Sequence, residues 1–409
     1  MLNFENDFRV LFSTRIIRLF CYGFLSVILA LYLAEVGLTE NQIGLLFTLT
    51  LAGDAGISLW LTTSADRFGR KRTLLIGALL MSGAGLVFLL TRNPLLLIVA
   101  AIIGVISPSG NEIGPFLSVE QASLTQIIPN EKRTQVFAWY NLAGSFATAT
   151  GALSGGWLAQ GLQTQGLAAQ SAYRVVLMGY AAGGLLLATL FLLLSPKVEI
   201  TANKQESSAP RTLGLHKSRG VVMKLSALFA MDAFAGGLII QSMMAYWFHV
   251  KFGIESGVLG SIFFGANILA GISALLAGRI AQRFGLINTM VFTHIPSNIL
   301  LMVVPLMPNL PLAIALLLLR FSISQMDVPT RQSYTMAVVA PDERSAAAGM
   351  TGIARSVGAA FSPALTGLFF GIPALFSAPF FLSGGLKIIY DLLLYRSFKT
   401  MKPPEEASK

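Results

Sequence analysis

Long apolar runs alternate with short polar punctuation along the whole chain. Runs long enough for an α-helix to cross about 30 Å of hydrocarbon recur twelve times, near residues 11–33, 43–64, 73–90, 95–117, 136–159, 173–194, 221–250, 258–280, 287–306, 312–336, 345–370 and 376–395. A membrane β-strand would be about half that length and would alternate in polarity, which excludes a barrel. The pattern predicts an all-α, polytopic membrane protein. The first run follows a short charged start, is too long for a signal-peptide core and lacks a small-x-small cleavage site, so it reads as the first span.

Composition agrees with a chain solvated by lipid. Mean hydropathy is +0.70, 54% of residues are hydrophobic and 12% are charged, against about 25% charged in soluble domains. The single cysteine, Cys21, falls inside the first span and excludes an intrachain disulfide. The net charge of +10 changes meaning once it is located. Odd-numbered connections carry few basic residues, chiefly Arg92, Arg174 and Lys251. Even-numbered connections and the tails carry Arg67, Arg70, Lys71, Arg72, Lys132, Arg133, Arg279, Arg283, Arg344, Arg396 and six more between Lys197 and Lys224. The positive-inside rule then puts both termini in the cytoplasm. The basic balance is topology and does not signal nucleic-acid binding, and the polar linker faces anionic lipid. The expected location is the prokaryotic inner membrane.

The chain is also written twice. A shift of 216 residues superposes Gly37 on Gly253, Gly44 on Gly260, and Arg67-Phe68-Gly69 on Arg283-Phe284-Gly285. A shift of 212 superposes Pro129-Asn130-Glu131-Lys132 on Pro341-Asp342-Glu343-Arg344. Matches that recur in loop order predict two six-helix bundles in the same orientation, residues 1–194 and 220–409 with a short cytoplasmic tail, joined by a cytoplasmic linker over 195–219.

The loop after the second span reads Ala65-Asp66-Arg67-Phe68-Gly69-Arg70-Lys71-Arg72. It resembles the signature loop between helices two and three of the major facilitator superfamily, with Thr62 where that signature has its leading glycine. In the second half Gly278 supplies the glycine and Gln282 replaces the acid. The resemblance covers the whole chain and implies two bundles related by a pseudo-two-fold axis along the membrane normal. It also implies a conformational latch at Asp66, Arg67, Gly69 and Arg70, with Asp66 reaching the N-terminus of span eleven. Span five offers Gly151-Ala152-Leu153-Ser154-Gly155-Gly156, similar to the glycine-proline-x-x-glycine-glycine pattern of that superfamily's antiporters, with alanine in place of proline. Pro363 and Gly367 stand at the equivalent place in span eleven. The alternative is that these small residues simply let helices approach closely.

An ionisable side chain in the bilayer needs a partner, a water-filled cavity or a function. Arg15 and Arg18 lie on span one, Glu112 and Glu120 on span four, Lys224 and Asp232 on span seven, and Arg320, Asp327 and Arg331 on span ten. By resemblance these four spans line a central cavity, which makes Arg18, Glu112, Asp232, Arg320, Asp327 and Arg331 the candidate substrate and proton site. Arg320, Ser324, Asp327 and Arg331 fall on one helical face, and Asp327 with Arg331 has the spacing of an intrahelical pair, either self-neutralising or substrate-binding. Glu112 sits in a stretch broken by Pro108, Gly110, Gly114 and Pro115. With no cation three or four residues on, it is the first candidate for a proton carrier, while pairing with Arg18 is the structural alternative. Asp54 and Arg355 suggest an interdomain pair, because the superfamily packs spans two and eleven together. Lys387 and Asp391 read as a self-paired face near the lipid interface, and His294 as a packing residue.

No His/Cys cluster has metal-ligand spacing, no phosphate-cradling loop is present, and no nucleophile-base set stands out. The expectation is a non-enzymatic secondary transporter without cofactor or metal, acting as a monomer on a small-molecule substrate with protons. Proton-coupled efflux by antiport leads. Symport of an anionic or zwitterionic metabolite, and a receptor or membrane enzyme on the same fold, are the alternatives.

Overall fold

The computed structural model describes residues 2–112, 114–128, 133–199 and 215–401. The helices are α1 Leu2–Ser26, α2 Leu29–Glu35, α3 Glu40–Phe68, α4 Arg70–Leu90, α5 Pro94–Ile103, α6 Phe116–Ile127, α7 Arg133–Thr164, α8 Ala169–Leu192, α9 Arg219–Gly237, α10 Gln241–Phe252, α11 Ser256–Phe284, α12 Leu286–Val303, α13 Leu310–Ser324, α14 Asp327–Val338, α15 Arg344–Ala360, α16 Ser362–Phe370 and α17 Ala378–Phe398. Among the described residues nine helices, some of them joined pairs of these, are long and apolar enough to cross a membrane. Asn6–Ser26 with Leu29–Glu35, bent by 43°, makes a tenth if taken as one span. Expected span four is split into α5 and α6, and expected span five is α7, 32 residues long but diluted by Ser, Thr, Asn and Gly. The polytopic all-α class stands.

The repeat has local physical causes. Gly69 and Gly285 take φ of 97° and 86° at the N-caps of α4 and α12, a backbone conformation that disfavours any side chain. This explains why Arg-Phe-Gly recurs. Asn93 and Asn309 cap α5 and α13 by accepting the amides of Leu95 and Leu312 at 2.9 and 3.1 Å, each with a proline in the first turn.

The chain divides into two compact units, Met1–Asn203 with Ile240–Asn267, and Lys204–Ile239 with Ile268–Lys409. The segment Ile240–Asn267, expected with the second bundle, therefore clusters with the first. Its packing gives the reason: a Cβ on Gly156 of α7 would meet the Ser256 carbonyl oxygen at 2.3 Å, and Ser242 Oγ donates to the Ser26 carbonyl at 2.6 Å.

In the first unit α1 lies directly on α7. A Cβ on Gly151 or Gly155 would fall 2.0 or 2.1 Å from the carbonyl oxygens of Phe20 and Phe24, and one on Gly23 would fall 2.0 Å from that of Thr148. The span-five glycines thus serve backbone-to-backbone approach. In the second unit α15 approaches α9 at Gly358, where a Cβ would lie 2.3 Å from the Ala230 carbonyl. Pro363 opens α16 after a break at Phe361, and Thr366 Oγ1 donates to the Leu238 carbonyl at 2.7 Å. The core below this contact joins Leu225 and Phe229 with Met290, Val291, Tyr334, Tyr390 and Leu394.

Each unit ties a helix start with a carboxylate. Glu199 accepts the amides of Arg70 and Lys71 at 2.7 and 3.1 Å, at the N-terminus of α4 where the helix dipole favours an anion. Glu343 accepts the amides of His216, Lys217 and Ser218 just before α9. Enclosure of the Glu343 carboxyl works against its charge, but these amides prevail and pull it down to about 2 from an ordinary 4.5.

This packing makes two predictions. Gly151→Ala should destabilise by at least about 1–3 kcal/mol, because backbone atoms cannot move aside as a side-chain tip can; Gly161→Ala, with open space around it, should be neutral or slightly stabilising. Thermal unfolding in detergent separates them, and equal effects would contradict the α1–α7 contact. A depressed folded value contributes stability above the unfolded value and loses it as pH falls. Glu343→Gln should therefore lower the melting temperature at neutral pH, and its difference from wild type should shrink between pH 4.5 and about 2.

Candidate functional site

Span four is not a continuous helix. In the described residues between Ile103 and Phe116 the backbone leaves helical form, with Gly110 and Gly114 at φ of 70° and 78°. Free peptide groups in the hydrocarbon region must find partners inside the protein. Tyr180 Oη of α8 donates to the Val105 carbonyl at 2.5 Å, and Ser107 Oγ donates to that of Asn111 at 2.8 Å. Ser242 N of α10 donates to the Pro108 carbonyl at 3.0 Å, and Thr148 Oγ1 of α7 to that of Gly110 at 3.4 Å. Asp54 of α3 accepts the Gly114 amide at 2.7 Å.

This break projects Glu112 onto α1. Arg15 NH1 reaches Glu112 Oε2 at 2.8 Å and Arg18 Nε reaches Glu112 Oε1 at 2.7 Å. Arg18 then grips Glu120 with two parallel bonds of 2.7 Å. Thr14 Oγ1 and the Tyr140 hydroxyl also donate to Glu120. Arg15 continues to the Tyr140 carbonyl at 2.8 Å and Asn141 Oδ1 at 3.2 Å, and its guanidinium lies 4.3 Å from the Tyr140 ring centroid. Two arginines meet two glutamates, so the cluster is neutral and closed. Glu112 is therefore not the uncompensated carboxyl expected from its neighbours in sequence. Its cations come from another helix, which spacing along its own helix does not reveal.

The second unit builds a cluster around Asp232 of α9. Lys387 Nζ of α17 lies 2.6 Å from Asp232 Oδ1, and Arg331 NH1 of α14 lies 3.0 Å from Oδ2. Arg355 NH1 of α15 approaches Oδ2 at 3.4 Å. Arg331 also holds Asp327, one turn before it, at 3.0 Å. Asp327 and Arg331 are thus part of a network and not a self-contained pair. The Arg355 side chain is 36% exposed, whereas those of Asp232, Asp327 and Arg331 are at most 6% exposed. Beside this network His294 Nδ1 of α12 meets Asp391 Oδ1 at 2.9 Å, and Asn298 donates to Asp391 Oδ2 at 3.3 Å.

Several expectations change. Lys387 and Asp391 do not pair with each other at a lipid face: both are buried and each binds another helix. His294 is a partner of Asp391 and not a bland packing residue. Arg355 takes Asp232, and Asp54 takes Gly114 and Ser58, so each finds its partner within its own unit. Arg320 shares a span with Asp327 but not its helix, because α13 ends before Gln325 and α14 begins at Asp327. The Arg320 Nε is buried without a hydrogen-bond partner, and its guanidinium stacks at 4.9 Å on Phe321. In the expected latch the side chains of Asp66 and Arg67 lie outside the described residues, while Gly69 and Arg70 meet Glu199.

The first cluster makes a direct prediction. Arg18→Gln strands Glu120 and leaves Glu112 to Arg15 alone, and should cost about 3–5 kcal/mol, as breaking a buried ion pair does. Combining it with Glu120→Gln should be milder than Arg18→Gln alone. Additive losses in detergent unfolding would show that the two residues act independently.

The family profile described as Major Facilitator Superfamily matches residues 11–363 and 252–409. An uncharacterized membrane protein of Saccharomyces cerevisiae, YJR124C, is 32% identical over 95% of this chain and 93% of its own length. Multidrug resistance protein 1 of Bacillus subtilis is 25% identical over 75% of each. Among solved structures, a point mutant of the nucleoside transporter NupG shares the fold with a TM-score of 0.77 at 15% identity, covering 96% of this chain and 99% of that one. The occupied inward-facing form of a bacterial homolog of the lysosomal transporter Spinster gives 0.76 at 16% identity, covering 98% of each. A family match across nearly the whole length, in an all-α chain whose signature loop recurs in both halves, carries one conclusion: this chain belongs to the major facilitator superfamily.

Proposed function

We propose that this secondary transporter moves a small organic solute bearing an anionic group, and that protons drive it. The observation that carries the reading is the charge balance of the second unit. Arg331, Arg355 and Lys387 stand against Asp232 and Asp327, an excess of one cation. Counting Asp391 makes the network even, and Arg320, which no carboxylate holds within ion-pair distance among the described residues, tips it positive again. Arg355 is the accessible one and the most loosely held of the three cations on Asp232, at 3.4 Å. A carboxylate or phosphate on the solute would complete its coordination. The first cluster, neutral and closed, offers no such vacancy.

Proton coupling follows from energetics. A membrane potential negative inside opposes anion entry by about 2.3 kcal/mol per charge per 100 mV, and co-moving protons would offset that cost for uphill uptake. Symport is the resulting direction. Efflux by proton antiport is the second reading, favoured by the 25% identity to a protein named for multidrug resistance. Of the span-five glycines that suggested it, Gly151 and Gly155 lie against α1 and Gly156 against α11, so close helix packing accounts for them as well.

The test is flux into proteoliposomes with an imposed proton gradient, screening labelled organic anions, zwitterions and cations. Anion accumulation in the direction of proton flow is expected, and Arg355→Gln should raise KM roughly tenfold to a hundredfold, the value of one charged hydrogen bond, with Arg355→Lys intermediate. Accumulation of cations against the proton flow, with KM indifferent to Arg355, would establish the efflux reading instead.

A further inference from the structure

The carboxylates inside the spans divide by their partners. Glu112 has two arginines, Glu120 has Arg18, Asp232 has three cations, Asp327 has Arg331 and Asp391 has His294. Asp54 differs from all of them. Its Oδ1 accepts the Gly114 amide at 2.7 Å and the Ser58 hydroxyl at 3.2 Å, and among the described residues no cation lies within ion-pair distance. A proton can bind it without breaking a salt bridge. It is half-buried and so not sealed inside the protein.

Its surroundings contain few competing groups. Glu112, two residues before Gly114, interacts with it but is neutralised by Arg15 and Arg18. Tyr22 of α1 and Tyr180 of α8 are the other titratable neighbours, and Tyr180 already donates to Val105. Neither α5 nor the part of α4 beyond Arg72 carries an ionisable residue.

The second unit shows a comparable break held without an ionisable group. Span ten also breaks, at Gln325, and the freed Gln325 amide is accepted by Ser273 Oγ of α11 at 3.3 Å. A side chain of the second helix of each half thus accepts an amide from the break of the fourth. A neutral hydroxyl suffices as the acceptor in one half, and an ionisable carboxyl accepts in the other.

We propose that Asp54 is the proton site of the first unit and that its protonation state sets how tightly the break in span four is held through the Gly114 amide. A proton taken from water by the carboxylate gives the neutral acid, and Gly114 N–H passes from a charge-assisted bond to an ordinary one of about half the strength. The break then loosens where Glu112 is presented to Arg15 and Arg18. The use of this switch in transport rests on the proton-coupled reading above; the switch itself does not.

Hydrogen–deuterium exchange of the full-length protein in detergent tests it without a substrate. After correction for intrinsic pH dependence against peptides of α8, the peptide covering 104–115 should exchange about five- to tenfold faster with Asp54 protonated than ionised, the factor expected from halving one charged bond. Asp54→Asn, which keeps a neutral acceptor, should exchange at the fast rate at every pH, and the peptide around Gln325 should not respond. A wild-type peptide indifferent to pH would overturn the proposal, and that measurement needs no variant to fold. A pH response that survives Asp54→Asn, or one equally large at Gln325, would overturn it too. Failure of proton-driven flux in proteoliposomes would remove the coupling reading while leaving these exchange results to stand or fall alone.

Discussion

Everything in the first unit depends on one requirement: peptide groups freed in the hydrocarbon region must be satisfied by protein. Span four gives up its helix between Ile103 and Phe116, and the partners of that stretch come from α3, α7, α8 and α10. The break fixes where Glu112 stands, and so where Arg15 and Arg18 must stand. The glycines of α7 bring α1 close enough for those arginines to be delivered. Local irregularity, helix packing and electrostatics are here one constraint expressed at three levels.

The two charged clusters solve the burial of charge differently. The first matches arginine to glutamate and completes the remaining donors and acceptors with Thr14, Tyr140 and Asn141, which is what a buried ion network needs to avoid a desolvation penalty. The second crowds three cations on Asp232 and leaves Arg355 partly exposed with its longest contact. An anionic solute is proposed on this difference between a closed network and an unbalanced one. The i, i+4 pair of Asp327 and Arg331 belongs to the second type, since Arg331 is shared with Asp232 and is not satisfied by its helical neighbour alone.

Hydropathy and internal repetition, both local or periodic properties, were enough to determine the all-α membrane class, the recurrence of loop motifs and the presence of charges on spans one, four, seven and ten. Positive-φ glycines at Gly69 and Gly285 and asparagine caps at Asn93 and Asn309 show that the repeat is written in local backbone chemistry, which is why it was legible. Partner choice was not. Glu112 is uncompensated along its own helix, and of its two readings the pairing with Arg18 is the one found, with Arg15 added; Lys387 and Asp391 read as self-paired because four-residue spacing permits it, whereas α9 and α12 supply their partners. The break at Gln325 puts Arg320 and Asp327 on separate helices, so their spacing does not describe one continuous face. A side chain in lipid must find its counter-charge, and the sequence declares that need; which helix meets it depends on packing between segments far apart in the chain, and only the tertiary structure decides that.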